Sequence, residues 1–172
     1  FNESWYGGET VITAIGQGFT LVTPLQLANA TARLANPSLS LKPHLLLSID
    51  GIEQEKQEDK EKKQSYSDKN LKWVKTGMVN VTKEGGTAAF LGRKSNYQMA
   101  SKTGTAQVFG LKIDEEYNED ILPDKLKDHA LFITYAPAIE PEIVIAVIVE
   151  NGGHGGSVAG PIAKKVLDAY LV

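Results

Sequence analysis

The chain has no cysteine. Disulfides, thiolate zinc sites and a cysteine nucleophile are therefore excluded, while the cellular compartment stays undecided. Neither sign of charge is in strong excess: 18 Lys and Arg stand against 21 Asp and Glu, a formal net charge of −3. A nucleic-acid-binding domain is normally strongly basic, so this balance argues against nucleic acid as a partner. Long apolar runs are also missing. The longest uninterrupted one is Ile143–Val149, whereas a membrane-spanning helix needs roughly 20 such residues. No basic-then-apolar leader opens the chain, and its first residue is Phe1, not Met. The chain is therefore expected to be a processed product or one piece of a longer polypeptide, with any anchor upstream.

What is present suits one folded domain: 172 residues, 42% hydrophobic and 23% charged, ordinary values for a globular chain. Residues 1–10 read as loop, followed by a short apolar run, Val11–Ile15, and a break at Gly16-Gln17-Gly18. Thr23 as N-cap and Pro24 at the first helical position open a helix. Leu27, Thr31, Leu34 and Ala35 follow at helical spacing, and Asn36-Pro37 ends it. His44–Asp50 reads as a short strand. Residues 53–63 carry five acids, four bases and no apolar side chain, as a solvated surface insertion would.

Ser67 or Asp68 is expected to cap a second helix, with Leu71, Val74, Met78 and Val81 on one face. Gly85-Gly86 ends that helix, and Thr87 is expected to cap one more turn through Leu91. Met99–Phe109 reads as a strand with a special centre, and 110–128 as a loop. Ala130–Tyr135 and Ile143–Val149 are rich in β-branched residues and read as an antiparallel hairpin joined by Pro137–Pro141. Tyr135 and Glu150 are placed at strand edges. A glycine-rich turn, Asn151–Gly156, leads to a last helix starting at Pro161, with Ile162, Val166, Leu167 and Tyr170 facing inward. Trp5, Tyr6 and Trp73 are expected to pack. The order predicts an α+β architecture, helices packed on an antiparallel sheet.

The segment Ser101-Lys102-Thr103-Gly104-Thr105 is the most informative. Strand alternation puts Ala100, Lys102, Gly104, Ala106 and Val108 on one face, so a cation lies on an otherwise small, apolar surface. Thr103 and Thr105 add hydroxyls. Gly104 removes a side chain where something must approach the backbone. Cation, hydroxyls and strand N–H groups suit a carboxylate-bearing ligand and a developing oxyanion. By contrast, His44, His129 and His154 are scattered without metal-ligand spacing. Gly152–Gly156 is no phosphate loop, because no Gly-Lys-Ser/Thr follows.

The Lys102-Thr103-Gly104 triplet resembles a signature of penicillin-binding proteins and serine β-lactamases. Ile15-Gly16-Gln17-Gly18, Thr23-Pro24-Leu25-Gln26-Leu27-Ala28, Lys102-Thr103-Gly104-Thr105-Ala106-Gln107 and Val149-Glu150-Asn151-Gly152-Gly153 are similar to segments of the class B enzymes. Tyr6-Gly7-Gly8-Glu9-Thr10 and Val108-Phe109-Gly110-Leu111-Lys112 look most like the penicillin-binding protein 2 branch, the elongation-specific transpeptidases of Gram-negative bacteria. The likeness runs from Trp5 to Leu171, with 53–63 unmatched.

That resemblance implies a transpeptidase fold, an α/β sandwich with a five-stranded antiparallel sheet, incomplete in this chain. It implies acyl transfer through a serine acyl-enzyme, in the D,D-transpeptidase and D-Ala-D-Ala carboxypeptidase class. Lys102 would support proton transfer and add positive potential. Thr103 and Thr105 would bind the terminal carboxylate of the donor peptide or of a β-lactam. The Thr105 N–H would be one oxyanion donor, and Gly104 would keep the strand open. Gln17 would lie near the cleft, with turn hydrogen bonding as its plainer role. No cofactor and no metal are implied. The partners implied are peptidoglycan stem peptides, β-lactams, the upstream part of the polypeptide, and an elongation-complex glycosyltransferase with scaffold proteins. The place implied is the periplasmic face of the inner membrane.

The family nucleophile sits in Ser-x-x-Lys, and no serine here has lysine three residues later. Ser48-Ile49-Asp50 fits the letters of the second motif but falls on the wrong side of Ile15–Gly18. The chain is accordingly expected to be the C-terminal part of one transpeptidase domain, inactive alone. A non-catalytic relative, such as a β-lactam sensor or binding module, and a serine β-lactamase are the competing readings.

Overall fold

The computed structural model describes residues 4–38, 42–53, 66–93, 95–108 and 122–172. The expected insertion at 53–63 falls almost wholly outside the described residues, whereas the expected Met99–Phe109 strand is shorter than read, running Ala100–Ala106 with Gln107 and Val108 beyond its end. The helices are α1 (Gly7–Ala14), α2 (Pro24–Ala35), α3 (Asp68–Asn80), α4 (Ala89–Gly92) and α5 (Ala159–Leu171). Strands β1 (Ser48–Ile49) and β2 (Ile52–Glu53) form a small hairpin, and β3 (Ala100–Ala106), β4 (His129–Ala136) and β5 (Ile143–Val149) form the main sheet. The main sheet runs β3-β4-β5, antiparallel throughout. Among the described residues, β3 is therefore an open edge.

Helices cover both faces of the sheet, as the α+β reading requires. On one face Ala35 of α2 and Met78 of α3 meet Ala100 and Tyr135. On the other, Leu91 of α4 and Ala159, Ala163 and Leu167 of α5 meet Met99, Ala130 and Phe132. Helix α2 starts where its sequence says. The Thr23 hydroxyl accepts from the Gln26 N–H at 3.2 Å, the Gln26 carboxamide accepts from the Thr23 N–H at 2.8 Å, and Pro24 sits at N1. This reciprocal cap satisfies two donors that the first turn leaves unpaired. Ser67, not Asp68, caps α3 by accepting from the Asn70 N–H.

Several expectations are corrected. Residues 7–10, expected as loop, open helix α1, because the Glu9 carboxylate accepts from the Tyr6 N–H and holds the first turn despite Gly7-Gly8. The expected strand at 44–50 shrinks to a two-residue arm of a hairpin. Asp50 and Gly51 both take positive φ, at 50° and 81°, the pair of left-handed positions that a type I′ turn demands. Trp5, Tyr6 and Trp73 are exposed. Trp5 instead tilts against Phe19 and donates to the Thr10 hydroxyl. Val74 is also exposed, and the inner face of α3 runs through Leu71 and Met78 to Val79. Thr87 does not cap α4; Ala88 occupies that position without a side-chain bond. Tyr135 is not at an edge but fully buried on the central strand.

Helix α5 begins at Ala159, two residues early, and of the expected inward face it buries Leu167 but not Ile162, Val166 or Tyr170. Ala159, Gly160 and Ala163 are buried with Leu167. Close approach decides this. A Cβ at Gly160 would lie 2.7 Å from Leu91 Cδ1 and 3.3 Å from the Phe132 ring, so the helix rests on its small residues.

The outer end of α5 is tied to the segment before β3. The Tyr97 hydroxyl donates to Asp168 at 2.7 Å, and Lys164 pairs with the same carboxylate while lying 5.2 Å from the Tyr97 ring centre. Lys164, then Tyr97, hold the Asp168 carboxyl below the ordinary carboxylate range by hydrogen bonding. A depressed folded-state pKa adds stability that is present above the unfolded value, about 3.9, and is lost as pH falls through the folded one. Asp168 is 44% exposed, so screening keeps the contribution at roughly 0.5 kcal/mol. Asp168→Asn is expected to lower neutral-pH stability by about that much and to flatten the acid limb of a denaturation series below about pH 4. An unchanged acid limb would remove the pair from the stability account.

Candidate functional site

The sequence singled out β3, and its register explains why that strand differs from its neighbours. Lys102 pairs with Ile133, Thr103 with Phe132, Gly104 with Leu131 and Thr105 with Ala130. A Cβ at Gly155 would lie 2.1 Å from the Leu131 carbonyl oxygen and 2.3 Å from that of Gly104. Two carbonyl oxygens so close together mark Gly104 and Leu131 as the pair that exchanges ladder hydrogen bonds. By alternation, the N–H and C=O groups of Thr103 and Thr105 point away from β4, toward the open edge.

Among the described residues, two side chains reach that edge. The Gln17 carboxamide donates to the Thr105 carbonyl at 2.8 Å, across 88 residues of sequence. The Lys102 ammonium donates to the Thr103 carbonyl. The bend that delivers Gln17 needs left-handed backbone on both sides, and Gly16 (φ 78°) and Gly18 (φ 71°) supply it without the strain a side chain would bring. The Gln17 and Gly16 N–H groups bond back to the Ile12 and Thr13 carbonyls, fixing the bend on the end of α1.

A cavity of about 290 Å³ lies beside these groups, floored by Lys102–Ala106 with Leu131 and Ile133, and walled by Ile15, Gly16 and Leu27. Lys102 is exposed, while Thr103, Gly104 and Thr105 are half-buried. The apolar face expected around the lysine is present, since Ala100 is buried and Ile133 and Leu131 are its cross-strand neighbours. Gly104 has its own reason to lack a side chain: a Cβ there would sit 3.1 Å from the Leu131 Cβ. A larger hollow, about 450 Å³, lies between α3 and the β4–β5 turn. Lys72, Lys75 and Lys83 line it, but Lys75 is engaged at 2.7 Å on the Ala35 carbonyl, closing the end of α2. Thr76 adds a hydroxyl there, but the lining also carries the acidic Asp68 and, among the described residues, includes no strand edge with outward N–H groups.

The glycine-rich turn belongs to the same site from behind. Gly153 and Gly155 are buried and only His154 projects outward. Asn151, at φ 54°, donates its N–H to His129 Nδ1 at 2.9 Å and its carboxamide to the Lys125 and Lys127 carbonyls. That His129 nitrogen is thus an acceptor, not a metal donor. A Cβ at Gly156 would lie 3.3 Å from both Thr103 Cγ2 and the Thr87 carbonyl, which brings the Thr87 backbone close to β3. Sequence reasoning missed the support given by Gly155. Its signal was present in the density of glycines, which marks close backbone approach.

Chemically, the edge offers one cation, two hydroxyls and two outward N–H groups, with its carbonyls engaged by internal donors. Such an edge attracts carboxylates and oxyanions. Residues 1–168 match the family described as the penicillin binding protein transpeptidase domain. The peptidoglycan D,D-transpeptidase MrdA of Haemophilus influenzae is 43% identical over 178 residues, spanning 99% of this chain and 27% of that protein. The structure of Pseudomonas aeruginosa PBP2 in complex with WCK 5153 superposes with a TM-score of 0.80 at 40% identity, covering 99% of this chain and 35% of the other. Helicobacter pylori PBP2 in complex with MreC gives 0.74 at 31% identity, covering 98% and 28%. The chain therefore spans about a quarter to a third of the relatives it matches.

Proposed function

The chain belongs to the penicillin-binding protein transpeptidase family, and on that premise we propose that it supplies the Lys-Thr-Gly part of a peptidoglycan D,D-transpeptidase. The observation that carries this reading is the open β3 edge, with Lys102, Thr103 and Thr105 around one cavity. The complete enzyme takes a stem peptide ending in D-Ala-D-Ala. A serine hydroxyl attacks the penultimate carbonyl, the terminal D-Ala leaves as a protonated amine, and an amine of a second stem peptide displaces the serine.

In that sequence Thr103 and Thr105 hold the terminal carboxylate by their hydroxyls. The Thr105 N–H faces the oxygen that becomes negative at the tetrahedral intermediate. Lys102 adds positive charge beside it and supports proton transfer. Gly104 leaves the strand low enough for the peptide to lie along it. The serine, its lysine and the second oxyanion donor come from a part of the polypeptide outside these 172 residues, since no Ser-x-x-Lys occurs within them. A β-lactam imitates the donor peptide and stays bound to the serine. By the same reading the enzyme works at the periplasmic face of the inner membrane. It would work there with a scaffold protein, as the Helicobacter pylori relative is paired with MreC, and with a glycosyltransferase.

Fluorescent penicillin applied to the full-length polypeptide and to the 172-residue chain, each resolved on a denaturing gel, tests the proposal. Label on the longer chain, at a serine outside these residues, is the expected result. Label on the 172-residue chain would relocate the nucleophile. A folded full-length protein that takes no label would overturn the enzymatic reading.

A further inference from the structure

Resting on the reading just given, we infer that Ser101 and Thr134 are a positioning pair: their buried hydroxyls set the register of β3 on β4 and so place Lys102, Thr103 and Thr105 at the cavity. Both residues are fully buried. They stand directly opposite each other across the ladder, and the Ser101 hydroxyl donates to the Thr134 hydroxyl at 2.9 Å. Strand alternation turns them to the face that α4 and α5 cover, where Met99, Phe132 and Ala136 of the same two strands belong to the apolar core. Hydroxyls in such a place are costly unless they pair. Stability alone does not call for them, because two apolar groups of the same shape can replace such a pair at little or no loss.

Register does call for them. Alternation guards β3 against a one-residue slip, which would turn Lys102 into the core. It does not guard against a two-residue slip, which keeps every side chain on its own face. Sliding β3 in one direction sets Lys102 against Tyr135, which is fully buried, and the cost of burying an ammonium opposes that. Sliding it in the other direction sets Met99 against Thr134 and Ser101 against Phe132, and moves Lys102 from Ile133 to Leu131. The cation and both threonine hydroxyls of the site would then travel roughly 7 Å along the strand. Apolar groups accept that exchange. The two hydroxyls do not, since each would be buried without its partner. The Thr82 hydroxyl also holds the start of the strand, donating to the Met99 carbonyl at 3.2 Å. A similar carbonyl recurs at every second residue, so that bond does not choose between the registers. Ser101 does, and Lys102 follows it directly in the chain.

The test separates register from stability. Full-length wild type, Thr134→Ser, and the double variant Ser101→Ala with Thr134→Val are compared by thermal melting and by the rate of acylation with fluorescent penicillin. Thr134→Ser keeps the hydroxyl and loses a buried methyl group. It is expected to melt lower and to acylate within about 2-fold of wild type, because the reacting groups stay in place. The double variant keeps nearly the same shape and loses both hydroxyls. It is expected to melt at or above wild type and yet to acylate roughly 10-fold to 100-fold more slowly, the scale of loss when catalytic groups are misplaced. The order of melting temperatures is thus opposite to the order of rates. A purely structural role makes acylation follow melting temperature through all three proteins, and that result overturns the inference. So does a double variant that melts well below wild type, or one that acylates within about 2-fold of it. If wild-type protein itself takes no label, it is the transpeptidase reading that falls.

Discussion

Lys102→Ala in the full-length protein is expected to reduce acylation by penicillin by roughly 100-fold to 10,000-fold, the range for losing a group that assists proton transfer. The size of the effect follows from where the lysine stands. It is the cation of the β3 edge, at the mouth of the 290 Å³ cavity, on a face otherwise made of Ala100, Gly104, Leu131 and Ile133. Among the described residues that line that cavity, no other carries positive charge. The fold, in contrast, loses little, because the exposed side chain makes one hydrogen bond, to the adjacent Thr103 carbonyl. Melting temperature should therefore hardly move while acylation collapses. Lys102→Arg keeps the charge but replaces a compact ammonium that can give up a proton by a planar group that cannot. It should restore carboxylate affinity and leave the acylation step slow. Acylation of Lys102→Ala at the wild-type rate would remove the residue from the mechanism.

The parts of this molecule that could be read from sequence share a physical feature: local chemistry with one good solution. Thr23-Pro24 with Gln26 can cap a helix in one way, and it does. The β-branched runs at 130–135 and 143–149 can satisfy their backbone only by pairing, and the six-residue connection 137–142 leaves an antiparallel hairpin. The cation on an apolar strand face at Lys102 was visible for the same reason.

What was not legible depended on contacts remote in sequence. Two apolar stripes exist on α5, and periodicity does not choose between Ile162-Val166-Tyr170 and Ala159-Ala163-Leu167. The choice comes from how closely Gly160 can approach Leu91 and Phe132. Helix α1 was hidden by Gly7-Gly8, whose low helix propensity is overcome by one Glu9 side chain bonded back to Tyr6. The Gln17 tie spans 88 residues, and nothing in the local pattern Gly-Gln-Gly names Thr105 as its target. The Asp50-Gly51 turn signal was local and readable, and the strand expectation passed over it.

Gly155→Ala should be among the most damaging single changes in the chain, although it adds only one methyl group. The turn it belongs to lies flat on the back of the Gly104–Leu131 pair. The new Cβ would fall 2.1 Å from the Leu131 oxygen, 2.3 Å from the Gly104 oxygen and 3.0 Å from the Gly104 nitrogen. All three are backbone atoms of the central ladder, so no side chain can swing aside. Nor can Gly155 itself retreat freely, because its carbonyl accepts from the Gly160 N–H at 2.9 Å at the start of α5. Either α5 lifts from the sheet or β3 separates from β4. Overpacking of this kind costs about 1–3 kcal/mol or more and lowers the melting temperature. Because Gly104 lies between Thr103 and Thr105, the same displacement should slow acylation in whatever protein remains folded. Gly77→Ala provides the contrast. It is the same chemical change at an exposed position inside α3, where a Cβ meets nothing within 4 Å, and alanine there should stabilise by about 0.5–1 kcal/mol. Thermal melts of the two variants of the full-length protein should therefore move in opposite directions. A Gly155→Ala melt equal to wild type would mean that the turn does not rest on the sheet as described.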